Sequence, residues 1–152
     1  MIARATANDL PEILQLQRQA FQEEAEHVGD MSIKPMSQTL EELEEEFERS
    51  VILKYVQGGE IVASVRARMD GDTCLIGRLV VRPDHWRQGI GRRLVSEVER
   101  MFADARRFEL FTREDHEVTR PFYHSLGYEP FRTERHSDAL SFVYLSKAGS
   151  KG

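Results

Sequence analysis

Cysteine is nearly absent from this chain of 152 residues: Cys74 stands alone, so no internal disulfide can form. Its setting, TCLIGRLVV, reads as a buried strand, where a free thiol packs as a small hydrophobe rather than acting as a nucleophile. No apolar run approaches the length that crosses a bilayer, so no membrane span is expected. The opening residues, MIARATANDLPEIL, lack the basic segment and long apolar stretch of a secretory signal, and a cytoplasmic protein is expected. Positive charge is in deficit. A net charge of −5 argues against a general nucleic-acid binder, with a local basic cluster at Arg87, Arg92 and Arg93 as the exception. The five histidines, at 27, 85, 116, 124 and 136, lack the close pairing and the cysteine or carboxylate partners of a zinc site, so no metal is expected.

What is present, 40% hydrophobic and 31% charged residues, is the composition of a soluble globular protein, and the length suits a single domain over residues 1–152. Residues 2–5 read as a short strand. Thr6 to Asp9 offers capping chemistry ahead of a helix over residues 8–25, whose face is marked by Leu10, Ile13, Leu14, Gln17 and Phe21. Gly29, Asp30 and Pro35 break that periodicity, so residues 26–38 read as a loop. Thr39 with Glu42 forms a capping box before Leu40, Leu43 and Phe47, and the surrounding glutamates, Glu41 to Glu48, read as the solvated side of a second helix.

From Val51 to Val56 the residues are β-branched or apolar, Gly58-Gly59 supplies a tight turn, and Ile61, Ala63, Val65, Ala67 and Met69 alternate with Ser64, Arg66 and Arg68. This predicts a hairpin. Asp70-Gly71-Asp72 turns the chain into a fourth strand from Thr73 to Arg82. Helical spacing of Ile90, Leu94, Val95, Val98, Met101 and Phe102 predicts a third helix over residues 90–104, with Glu97, Glu99 and Arg100 facing away. A fifth strand at 107–113 completes a crossover that favours parallel alignment with strand four. A fourth helix over 116–126 ends at Gly127, and strands at 128–135 and 139–146 follow. The expected fold is therefore α/β (α+β), with six to seven mixed, mostly antiparallel strands flanked by four helices.

Between strand four and the third helix lies Val81-Arg82-Pro83-Asp84-His85-Trp86-Arg87-Gln88-Gly89-Ile90-Gly91-Arg92-Arg93. Amides at a helix N-terminus carry partial positive charge that favours phosphate, and Gly89 and Gly91 let a ligand approach the backbone. Arg87, Arg92 and Arg93 add charge-assisted contacts. The turn lacks the third glycine of a dinucleotide-binding fingerprint, since Leu94 stands there, and no G-K-[ST] follows.

The turn resembles the phosphate signature R/Q-x-x-G-x-G/A of the GCN5-related N-acetyltransferase (GNAT) family. Gly89 and Gly91 match it, and Trp86 occupies the first position where the family has Arg or Gln. Downstream, Pro121-Phe122-Tyr123-His124-Ser125-Leu126-Gly127-Tyr128 is similar to the family's tyrosine-bearing segment, with Thr119 in place of the frequent Asn. The resemblance implies an acyl-CoA N-acyltransferase fold whose parallel strand 4/strand 5 pair splays to hold acetyl-CoA, and transfer of acetyl to an amine of a small molecule or peptide. It implies cofactor contacts from Leu79, Val80, Val81, Arg87, Gln88, Gly89, Ile90, Gly91, Arg92 and Arg93, with Tyr123 as general acid. Many relatives carry a basic Glu where this chain has Gly77. Of Glu23, Glu24 and His27, on the expected acceptor side, Glu24 is preferred as base, with a water chain or an amine arriving neutral as the other routes. The family also allows a homodimer. Two other readings stay open: a catalytically weak or inactive acyl-CoA-binding module of the same fold, and a nucleotide-binding α/β domain, which the upstream hairpin order disfavours.

Overall fold

The computed structural model describes residues 1–29, 33–115 and 118–150; the side chains of residues 23, 24, 27 and 28 lie outside the described set. Among the described residues seven strands are formed: β1 (Ile2–Arg4), β2 (Val51–Gln57), β3 (Glu60–Asp70), β4 (Thr73–Val81), β5 (Arg107–Arg113), β6 (Glu129–Ser137) and β7 (Leu140–Ala148). Five helices accompany them: α1 (Leu10–Val28), α2 (Lys34–Ser37), α3 (Leu40–Arg49), α4 (Ile90–Met101) and α5 (Thr119–Ser125). The hydrogen-bonding order is β1-β2-β3-β4-β5-β7-β6, so consecutive strands neighbour one another until the final exchange of β6 and β7. No described helix is long and apolar enough to cross a membrane. The chain divides into two compact units, one of Met1–Arg68 with Arg78–Val98, the other of Met69–Gly77 with Glu99–Gly152.

In the first unit, β1, β2 and β3 form an antiparallel meander, and the β2–β3 hairpin turns on Gly58 and Gly59, both at positive φ. The apolar stripe of α1 supplies Leu10, Ile13, Leu14 and Leu16 to a core completed by Leu43 of α3, Ile52, Ile61 and Val80. Removing those side chains from water is the main stabilising term. The capping box forms as expected: the Glu42 amide donates to the Thr39 hydroxyl at 3.2 Å and the Thr39 amide to the Glu42 carboxylate at 2.9 Å.

Three features depart from the sequence reading. α1 continues to Val28 and stops at Gly29, whose φ of 72° is the left-handed cap that glycine adopts without strain. The expected loop also contains α2, because Pro35 sits in a first helical turn, where its missing N–H costs nothing. Ser64 and Arg66, read as outward-facing, are 2% and 3% exposed. The cause is that both faces of β3 are covered, so residues 61–67 are buried without alternation.

Arg66 is reconciled with burial by a polar network that joins β3 to α1, α2 and α3. Its guanidinium donates to Glu46 at 2.9 Å, to the Gln38 side-chain oxygen at 3.3 Å and to the Gln17 side-chain oxygen. Gln17 in turn donates to the Pro35 carbonyl at 2.8 Å and to Gln38 at 3.1 Å. Burial pulls the guanidinium pKa below its ordinary value, and the Glu46 carboxylate opposes that shift.

In the second unit, Thr73–Leu75 of β4 pair in parallel with Arg107–Glu109 of β5, and β5 and β6 flank β7 in antiparallel register. Phe108, Leu110, Val143, Leu145 and Tyr128 are buried there. Cys74 is fully buried; burial, followed by the Glu99 charge, pushes its thiol up to about 12, in keeping with a packing role. β6 is a border strand, exposed at every residue and interrupted by register shifts at Pro130/Arg132 and Arg135/Ser137.

Candidate active site

The end of β4 is pinned to the hairpin by the Arg82 amide, which donates to the Val62 carbonyl at 2.9 Å. A single 3-10 turn over Pro83–His85 follows. The Trp86 indole N–H then reaches back to the Val81 carbonyl at 2.8 Å, which fixes the ring although 54% of the residue is exposed. Arg87 at φ 66° and Gly89 at φ 76° both adopt left-handed backbone, and the chain reverses into α4. For Gly89 this is an ordinary conformation; for Arg87 it is a strained one.

The Gly89 carbonyl accepts from the Arg93 amide at 3.1 Å and so closes the first helical turn. The amides of Ile90 and Gly91, in the turn before that bond, consequently have no acceptor within the helix, and they sit at its positive end. A Cβ built at residue 89 meets nothing within 4 Å, so the space beside it is open to a ligand. The residues therefore fit the diphosphate of an acyl-CoA: open amides, a glycine at positive φ, and arginines in the same turn. Arg93 is held in place by Tyr55 of β2, whose hydroxyl accepts from its guanidinium at 2.9 Å.

The predicted cofactor residues divide by what they can offer. Val80 is 4% and Ile90 2% exposed, so their side chains belong to the interior and only their backbones are available. Leu79 and Val81 are half-buried on β4, and Arg87 to Gly89 are exposed. Beside this turn, α1 and residues 81–86 border two adjoining open grooves of about 360 Å³ each, which share Gln19, Ala20 and Pro83. Glu26 and Gln22 line one of them opposite Trp86 and Val81. The sequence places this end of α1, with Glu23, Glu24, Glu26 and Asp30 hinting at a cationic acceptor, on the acceptor side, but its approach to residues 81–86 has no local signal.

Tyr123 lies on α5 of the second unit and is 7% exposed. Burial raises its pKa, so at neutral pH it is a neutral phenol with a hydrogen to donate. Its ring stands 5.1 Å from that of Phe122 and 6.2 Å from that of Tyr128. Tyr128 is anchored through its hydroxyl, which donates to Glu99 at 2.8 Å, and Lys147 donates to the same carboxylate at 3.0 Å. Glu99, expected to face away, is thus the centre of a polar cluster. Thr119 is engaged with Thr112, hydroxyl to hydroxyl at 2.7 Å.

Gly77 leaves β4 without a carboxylate at that point, and Arg78 follows at φ 50°. Glu24, the preferred base, is on α1 with its side chain outside the described residues, as are those of Glu23 and His27. Among the described residues, no group of three or more His, Cys, Asp or Glu side chains could hold a metal ion.

Solved structures share this fold. The ribosomal-protein-S18-alanine N-acetyltransferase of Escherichia coli superposes with a TM-score of 0.81 at 19% identity, covering 100% of this chain and 95% of that one. The PaiA N-acetyltransferase of Thermoplasma acidophilum, solved in complex with coenzyme A, gives 0.79 at 15% identity over 97% and 98% of the two chains. A curated relative, UPF0157 protein YqkA of Bacillus subtilis strain 168, is 28% identical over 129 residues, or 85% of this chain; the chain spans 37% of that relative's length. The family model described as acetyltransferase (GNAT) family matches residues 10–128, and with that match the chain belongs to the GNAT acetyltransferase family.

Proposed function

We propose that the protein is an N-acetyltransferase that moves an acetyl group from acetyl-CoA to a primary amine of a small molecule or peptide by direct attack in a ternary complex. The observation that carries this reading is the start of α4, where open amides beside Gly89 form a cradle suited to a diphosphate. In the reaction, the neutral amine nitrogen forms a bond to the thioester carbon, the carbon–sulfur bond breaks, and the nitrogen gives up a proton as the thiolate gains one. Amides of Leu79 and Val81 are the proposed donors to the pantetheine arm and thioester oxygen, fixed before reaction and so free of reorganisation cost.

Tyr123 is the proposed donor to the departing thiolate. Its buried phenol stays protonated at neutral pH and so offers a hydrogen throughout the working range. With Gly77 in place of a carboxylate, the proton on the amine leaves by water or by Glu24.

Calorimetric titration with acetyl-CoA, followed by measurement of thiol release across an amine panel, tests the assignment. Binding with amine-dependent release is expected; absence of acetyl-CoA binding would sink it. The second reading, an acyl-CoA-binding module without turnover, is favoured by Gly77 and corresponds to binding with no release from any amine.

A further inference from the structure

Of the residues lining the groove beside Trp86, only Val81 is among the proposed acyl-donor contacts, and the wall that α1 supplies is left without a role. The family signature has Arg or Gln at this position, whereas here a flat aromatic ring is clamped by its indole N–H to the Val81 carbonyl and left half-open to solvent. A ring held this way presents its π-face without further loss of rotamer freedom. Across the cavity α1 contributes Gln19, Gln22 and Glu26, and Gln22 donates to the Glu26 carboxylate at 3.1 Å, which orients it. Among the described residues, none that lines this cavity is a cation. A volume of about 360 Å³ is within the range of small-ligand sites.

We infer that this groove selects the acceptor, and that the acceptor carries a second, non-reacting cation, an alkylammonium or guanidinium held between the Trp86 ring and the Glu26 carboxylate. The chemistry is complementary on both sides: a ring face attracts a cation, and a carboxylate pairs with it. The reacting amine must be neutral to attack, so the positive charge that the groove recognises belongs to another group of the same molecule. The acceptor class is therefore a diamine, a basic amino acid or a basic peptide. This inference rests on the proposed acetyl transfer for its biological sense, and its test is separable from it.

Trp86 is the single tryptophan of the chain, so indole fluorescence reports this wall and nothing else. The full chain saturated with CoA is titrated with cadaverine and, in parallel, with 1-pentanol, its uncharged five-carbon counterpart. A saturable change is expected with a half-saturation at least about tenfold lower for the diamine. Glu26→Gln is expected to erase most of that preference while leaving acetyl-CoA affinity unchanged. In steady-state turnover, cadaverine is expected to show a lower KM than pentylamine, whose one nitrogen must react; Trp86→Phe keeps that difference and Trp86→Leu loses it. Equal half-saturation for cadaverine and 1-pentanol, no response to cadaverine, or a preference untouched by Glu26→Gln would overturn the inference. Failure of acetyl-CoA itself to bind is a different result, which strikes the proposed reaction instead.

Discussion

The turn after β4 and the stretch from α5 into β6 both carry the family's signature, but they use the polypeptide in opposite ways. The turn is exposed from Arg87 to Gly89, and much of what it offers a ligand is backbone: the amides of Ile90 and Gly91 and a left-handed glycine. The α5–β6 stretch is the reverse, with Tyr123 and Tyr128 buried and its polar atoms spent on neighbours such as Glu99. A backbone device is sensitive to any side chain that intrudes. A side-chain device is sensitive to loss of one atom.

The largest effect is expected on the backbone side. Gly89→Asp forces a side chain at φ 76° and sets a negative charge against the ligand's own, so acetyl-CoA affinity should fall at least about a hundredfold, near 3 kcal/mol, by calorimetry. Gly89→Ala isolates the strain and should lose clearly less. Equal losses would mean that charge at the helix start is irrelevant. On the side-chain side, Tyr128→Phe deletes a bond to a carboxylate and should cost about 2 kcal/mol of stability in urea unfolding, with acetyl-CoA affinity unchanged. Tyr123→Phe sharpens the contrast further: kcat is expected to fall about tenfold, near 1.4 kcal/mol in barrier, with binding and stability intact. Unaltered turnover would leave Tyr123 a packing residue.

The smallest effect belongs to a group outside both regions. Burial of Asp9 raises its pKa, but the Lys54 ammonium at 2.8 Å and the amide and hydroxyl of Thr6 outweigh it and hold the carboxyl below its ordinary value. A carboxylate depressed on folding contributes stability above its unfolded pKa, about 3.9, and loses it as pH falls through the folded value. Asp9→Asn should therefore lower stability by less than about 1 kcal/mol at pH 7 and flatten the profile below about pH 4, read by acid titration of the unfolding midpoint. A mutant profile parallel to that of the parent would remove Asp9 from the acid response.

What could be read from the residues alone follows the same divide. The strand predicted at 107–113 is observed as Arg107–Arg113, and Gly89 is legible because a ligand's approach to the backbone calls for a residue without a side chain; its left-handed φ is an addition of the structure. Arg87 takes the same conformation with no such signal. Arg66 was misread because alternation identifies a face only where one side of the sheet is wet, and β3 is covered on both. Pro35 was taken as a breaker when it starts a turn. The opposition of Trp86 and Glu26 is a matter of tertiary approach between residues sixty positions apart, for which local pattern has no vocabulary.

The border strand β6 has a consequence for the protein in bulk. Pro130 offers no amide hydrogen, the two register shifts roughen the rim, and arginines and glutamates project along it. A strand from a neighbouring molecule finds a ragged, charged margin instead of a smooth template, so crowded solutions of this chain should resist runaway growth into fibrils from that end.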